Sequence, residues 1–124
     1  MIAYVTLGSN DLEKSAAFYD PIFAAAGAER VYQNERMISW GDGSGPFVML
    51  TTPFDKQTAT SGNGTMVALS VDSISKVTQI HKLALELGAE NEGDPGPRVP
   101  GMHFAYFRDP DGNKICAYCF GAND

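Results

Sequence analysis

Few side chains in this sequence suit chemistry, and their scarcity narrows what they can do. There are two histidines, His81 and His103. His103 stands in Met102-His103-Phe104-Ala105-Tyr106-Phe107, a run of strand composition. An imidazole there can act as acid, base or hydrogen-bond anchor near neutral pH. Directly after Pro100-Gly101 it can equally be an exposed strand end with no role. His81 falls on a helical stretch and is expected at its surface. Cys116 and Cys119 are three apart on a predicted strand, so they should face opposite ways and form no disulfide. Cys-x-x-Cys serves redox chemistry at the start of a helix, and no helix follows here. Cys116 as a nucleophile would have only Lys114, two residues back, to lower its pKa. Arg36 and Arg98 can pair an anionic ligand.

The elements that must position these residues are organised around Arg108-Asp109-Pro110-Asp111-Gly112-Asn113. Pro fixes one φ, Asp bonds its own backbone and Gly112 takes φ > 0, a tight connection between antiparallel strands. Arg108 and Asp109 are expected to fix this hairpin rather than perform chemistry. Upstream, Ile2 to Leu7 alternates like a strand. Asn10 or Asp11 caps a helix that runs from Leu12 to Ala26 and ends at Gly27, with Pro21 expected to kink it or begin a second turn. Glu29 to Gln33, Arg36 to Trp40 and Phe47 to Thr51 read as three strands. The polar segment 53–64 reads as a mobile linker. The pattern then restarts: a strand from Thr65 to Val71, a helix capped by Asp72 or Ser73, a short strand Glu90-Asn91-Glu92, a proline-rich loop and the final hairpin.

The chain has 124 residues, of which 44% are hydrophobic, enough for one globular domain with a real core. A net charge of −6 and a pI near 4.7 disfavour nucleic acid and anionic membrane surfaces as partners. No run approaches the length of a membrane span. Met1-Ile2-Ala3-Tyr4-Val5 reads directly as a strand without an export signal, so a cytoplasmic location is expected.

The two halves repeat one another. Tyr4-Val5-Thr6-Leu7 lies over Met66-Val67-Ala68-Leu69, Leu12 over Ile74, and Gly27-Ala28-Glu29 over Gly88-Ala89-Glu90. Each unit needs its copy to bury its sheet. Two β-α-β-β-β units in tandem, with Arg-Asp-Pro-Asp-Gly-Asn-Lys before the last strand, resemble the vicinal oxygen chelate superfamily of glyoxalases, bleomycin-resistance proteins and extradiol dioxygenases. The resemblance implies an α+β fold of two tandem βαβββ modules forming a half-open β-barrel. A single domain, residues 1–124, would comprise module one (1–52), the linker (53–64) and module two (65–120).

By the same resemblance, the metal-ligand positions on the first and last strands of each unit fall at Tyr4, Met49, Met66 and Cys116. None is a His or a carboxylate, so no metal cofactor is expected, since hard and borderline divalent ions need oxygen or imidazole donors. Strand alternation separately puts Val5, Leu7, Val48, Leu50, Val67, Leu69, Ile115 and Ala117 under the helices. Tyr4, Thr6, Phe47, Met49, Met66, Ala68, Cys116 and Tyr118 are left on the concave face. That lining suits a small, partly aromatic or apolar molecule, unless the side chains simply fill the barrel themselves. The expected ligand-binding set is Tyr4, Phe47, Met49, Met66, His103, Cys116 and Tyr118, with His103 the catalytic candidate. The other readings are a lyase or dioxygenase holding a divalent metal through unusual ligands, and a non-catalytic interaction scaffold. Relatives commonly form two-fold dimers, so a homodimer is expected.

Overall fold

Ten elements follow one another in a computed structural model, which describes residues 1–121. They are β1 (Tyr4–Gly8), α1 (Leu12–Ala25), β2 (Glu29–Gln33), β3 (Met37–Gly41), β4 (Phe47–Thr51), β5 (Val67–Ser70), α2 (Ile74–Glu86), β6 (Glu90–Val99), β7 (Met102–Arg108) and β8 (Lys114–Phe120). The strands form two four-stranded sheets of identical order, β1-β4-β3-β2 and β5-β8-β7-β6. In each, the first and last strands run parallel and the rest antiparallel. The fold is α+β, two tandem βαβββ modules, and the sheets do not close into a barrel.

The repeated Gly-Ala-Glu has a common physical cause. After each helix the glycine takes a left-handed φ, +87° at Gly27 and +97° at Gly88. The next amide then reaches back to the helix, Ala28 N to Phe23 O at 2.8 Å and Ala89 N to Ala84 O at 2.9 Å. This satisfies carbonyls that the helix end leaves bare and aims the chain into the next strand. The starts match too: Asp11 accepts from the Lys14 amide and Ser73 from the Lys76 amide. α1 continues through Pro21 as one helix.

Both helices cover one face of their own sheet, and the two covered faces merge into a single core. Leu7, Leu50, Ile115 and Ala117 are buried there, with Val48, Val67 and Leu69 packed at its margin, as alternation requires. Tyr19 and Trp40 each stack on Phe23 in module one, while Phe18 of α1 reaches Phe107 of β7 at 6.1 Å between ring centroids. Each such side chain taken from water contributes about 1.5–3 kcal/mol. Within the core the modules join through their helices and this aromatic contact. Their sheets stay apart: no Cα of β1 lies within 8 Å of a Cα of β5.

Three expectations change. His81 is buried rather than at the helix surface, because position 81 continues the inward stripe of Val77, Ile80 and Ala84. Its Nε2 meets Asn91 Oδ1 at 3.0 Å, the partner a buried imidazole requires. β6 extends over ten residues instead of stopping at Glu92. It pairs only with β7, and its register slips repeatedly, so Pro95 and Pro97 sit in an edge strand where a missing N–H is tolerated. Segment 53–64 has an anchor: Ala59 donates to Asn10 Oδ1 at 2.7 Å and accepts from Asn10 Nδ2 at 3.1 Å.

Candidate functional site

The hairpin turn between β7 and β8 is structural. Asp109 is buried and accepts four hydrogen bonds: from Tyr19 Oη at 2.5 Å, Asn113 Nδ2 at 2.9 Å, and the amides of Asp111 and Asn113. Burial raises the Asp109 carboxyl above the ordinary aspartate range, while these donors pull it back. Asp111 reaches the other module, accepting from the Asn10 amide at 2.8 Å and Ser15 Oγ at 2.5 Å. Asn113 Nδ2 also donates to Gly8 O at 3.0 Å. The turn therefore clamps module two onto the end of β1 and the first turn of α1. Every oxygen of its two carboxylates is engaged, as befits a lock rather than a catalyst.

Chemistry is left to the faces turned away from the helices. On the first sheet Tyr4 pairs with Phe47 across the parallel ladder, and their rings stack at 5.0 Å and 13°. Thr6 and Met49 are the next pair along. Segment 53–60 arches over this face and leaves a cleft of about 660 Å³. Tyr4, Thr6, Arg36, Met37, Met49, Thr51 and Phe54 line it. The Arg36 guanidinium lies 5.9 Å from the exposed Phe54 ring, so the cleft has a cationic, aromatic rim. A second groove of about 560 Å³ separates β1 and β4 from β5, with Phe47 on one wall and Met66 on the other.

The open face of the second sheet carries Cys116 and Tyr118 beside two aromatics of β7 that the sequence reading passed over. Phe104 pairs with Tyr118 and Tyr106 with Cys116. Phe104 and Tyr106 lie nearly parallel, 6.1 Å apart, and Phe104 is 5.3 Å from Tyr118. Residues opposite one another in an antiparallel ladder share a face. By that rule His103, paired with Cys119, shares the helix-covered face of Ala105 and Phe107. It is half-buried there, and its Nδ1 is buried with no hydrogen-bond partner. The structure thus separates His103 from Tyr4, Phe47, Met49 and Tyr118. With the hairpin register fixed, alternation from Cys116 puts Phe104 and Tyr106, not His103, on the open face.

Cys116 is fully buried between its cross-strand neighbours Ala68 and Tyr106, and burial pushes its thiol up from the usual range. Its Sγ–H donates to Ala117 O. A protonated, enclosed thiol is a poor nucleophile and a poor ligand. Tyr4 and Met49 line the cleft of the first sheet, whereas Met66 borders the groove and Cys116 lies on the second sheet. The four positions therefore offer one phenol, two thioethers and a protonated thiol, divided between two sheets. That donor set does not fit a hard divalent ion. Among the described residues no three His, Cys, Asp or Glu side chains gather as a metal would require. Nor is any described helix long and apolar enough to cross a membrane.

Many solved structures resemble this chain in fold. A glyoxalase/bleomycin resistance protein from Albidiferax ferrireducens T118 is 34% identical, with a TM-score of 0.89 over 96% of this chain and 98% of its own. A glyoxalase-related enzyme from Fulvimarina pelagi shares the fold at 23% identity, with a TM-score of 0.79 over 96% and 87%. A family enzyme from Burkholderia phytofirmans PsJN does so at 18% identity, with a TM-score of 0.77 over 95% and 97%. No curated protein matches the chain. The family model of the glyoxalase/bleomycin resistance protein/dioxygenase superfamily matches residues 1–117, nearly the whole sequence. Fold, repeat and sequence agree, and the chain belongs to that superfamily.

Proposed function

We propose that this protein captures a small, partly aromatic or apolar molecule on the open faces of its sheets, without a divalent metal and as a homodimer. The observation that carries the reading is the cleft over the first sheet, where Tyr4, Met49 and Phe54 supply apolar contact area and Thr6, Thr51 and Arg36 supply a few polar groups. Threonines and Asp55 complete a lining about as polar as it is apolar, which suits a ligand that has an apolar or aromatic body and several hydrogen-bonding groups. Stacking on an aromatic such as Tyr4 adds about 0.5–1.5 kcal/mol beyond area burial. The donor chemistry of Tyr4, Met49, Met66 and Cys116 favours a metal-free mode, since none supplies imidazole or carboxylate.

The test is a thermal-shift panel of small aromatic and aliphatic compounds, run with and without Ni, Zn, Mn, Fe and Co, beside elemental analysis of the purified protein. Stabilisation by one compound class, unchanged by any metal and reduced by Met49→Ala, is expected. Stoichiometric metal that Met66→Ala or Cys116→Ala removes would instead make the protein a metalloenzyme of the lyase or dioxygenase kind.

A further inference from the structure

The second sheet gathers cations around one ring. Arg98 Cζ lies 5.6 Å from the centre of the Tyr106 ring and Lys114 Nζ lies 5.2 Å from it. Arg98 comes from β6 and Lys114 from β8, the two strands that flank the Tyr106 strand, while the chain as a whole carries −6. Two of the other arginines are ion-paired, Arg30 with Asp20 and Arg108 with Glu92. Among the described residues no carboxylate lies within 4 Å of Arg98 or Lys114. Glu92 feels the charges of both Arg108 and Lys114, but its hydrogen bond goes to Arg108. One amine of Arg98 donates to the Asp94 carbonyl, which steadies the guanidinium and leaves its other N–H groups free to bond.

Room for this arrangement is written into β6. A Cβ at Gly93 would stand 2.7 Å from Tyr106 Cδ2 and 3.3 Å from Arg98 Nη2, and one at Gly96 would stand 3.1 Å from Arg98 Nη1. Two glycines thus leave space along the edge strand for the ring and the guanidinium to lie over the sheet. Beside them Phe104, Tyr106 and Tyr118 form a half-exposed aromatic shelf.

We infer that this face binds a small planar organic acid, its conjugated body on Phe104, Tyr106 and Tyr118 and its carboxylate met by Arg98 and Lys114. A carboxylate offers these cations the charge-assisted hydrogen bonds that no carboxylate among the described residues supplies. The inference rests on the capture reading above and adds the charge and shape of the ligand.

Calorimetric titration with 2-naphthoate and with its neutral amide, 2-naphthamide, tests it. The acid is expected to bind about tenfold more tightly than the amide, and less so as salt rises. Arg98→Gln with Lys114→Gln should bring the two ligands level without lowering the melting temperature, whereas Arg98→Lys should keep the preference. Equal binding of acid and amide by the unaltered protein, or a preference that survives the double substitution, overturns the inference while leaving capture of aromatic molecules standing. Binding of neither compound overturns both for this face.

Discussion

Tyr19 and Asp109 meet inside the core, ninety positions apart in sequence, through a hydrogen bond of 2.5 Å. Burial, with the charge of Asp109 beside it, raises the Tyr19 phenol well above its ordinary pKa of 10.0. A group whose folded pKa is raised stabilises the fold fully below its unfolded pKa. That contribution drains away as pH climbs from the unfolded value toward the folded one, because the unfolded chain sheds a proton that the native chain keeps. Urea unfolding should therefore show stability falling as pH rises above about 10. Tyr19→Phe should flatten that fall while costing about 0.5–1.5 kcal/mol at neutral pH for the lost bond. An equally steep alkaline decline in the variant would assign it to another group. None of this could be read from one sequence, since burial of a tyrosine against a distant aspartate is a tertiary fact. The histidines teach the same lesson. His81, expected at the helix surface, follows the stripe of Val77, Ile80 and Ala84 inward, and no local signal announces Asn91 as its partner.

Local chemistry spoke more clearly for elements. Turn residues, caps and period-two alternation placed nine of the ten elements near their observed bounds, because each signal lies within a few residues of the structure it causes. β6 was cut short because prolines argue against a strand in general, and only its place at a sheet edge removes the objection. The site suffered similarly. Alternation put Tyr4, Phe47 and Met49 together, but carrying the phase across the hairpin depends on register, which Asp109 bonding to Asn113 sets. The turn itself supplies a sharp test. Gly112 has φ +88° and donates to Asp109 O at 3.0 Å. Gly112→Val forces a β-branched residue into that region and should lower stability by about 1–3 kcal/mol. An unchanged melting temperature would mean that the turn relaxes to another type.

At the scale of the whole molecule, the two open faces and the free strand edges ask for company. β1 and β5 each have one unpaired edge bordering the groove, and Tyr4, Met66 and Phe120 remain exposed. Exposed edges and apolar side chains favour symmetric association. Light scattering at micromolar concentration is expected to give about twice the chain mass of 13.3 kDa, and the single mass would remove the homodimer. The clamp made by Asp111 and Asn113 has a different consequence, for how the chain is born. Asn10 waits for Asp111 and Gly8 for Asn113, residues more than a hundred positions downstream. Folding must close a loop of nearly the full length, and such distant contacts slow it. On the ribosome, α1 and β1 emerge long before the turn that fastens them. Until the last hairpin leaves the exit tunnel, Phe18 and its neighbours have no Phe107 to meet, and the nascent first module is at its most exposed to aggregation and to chaperones.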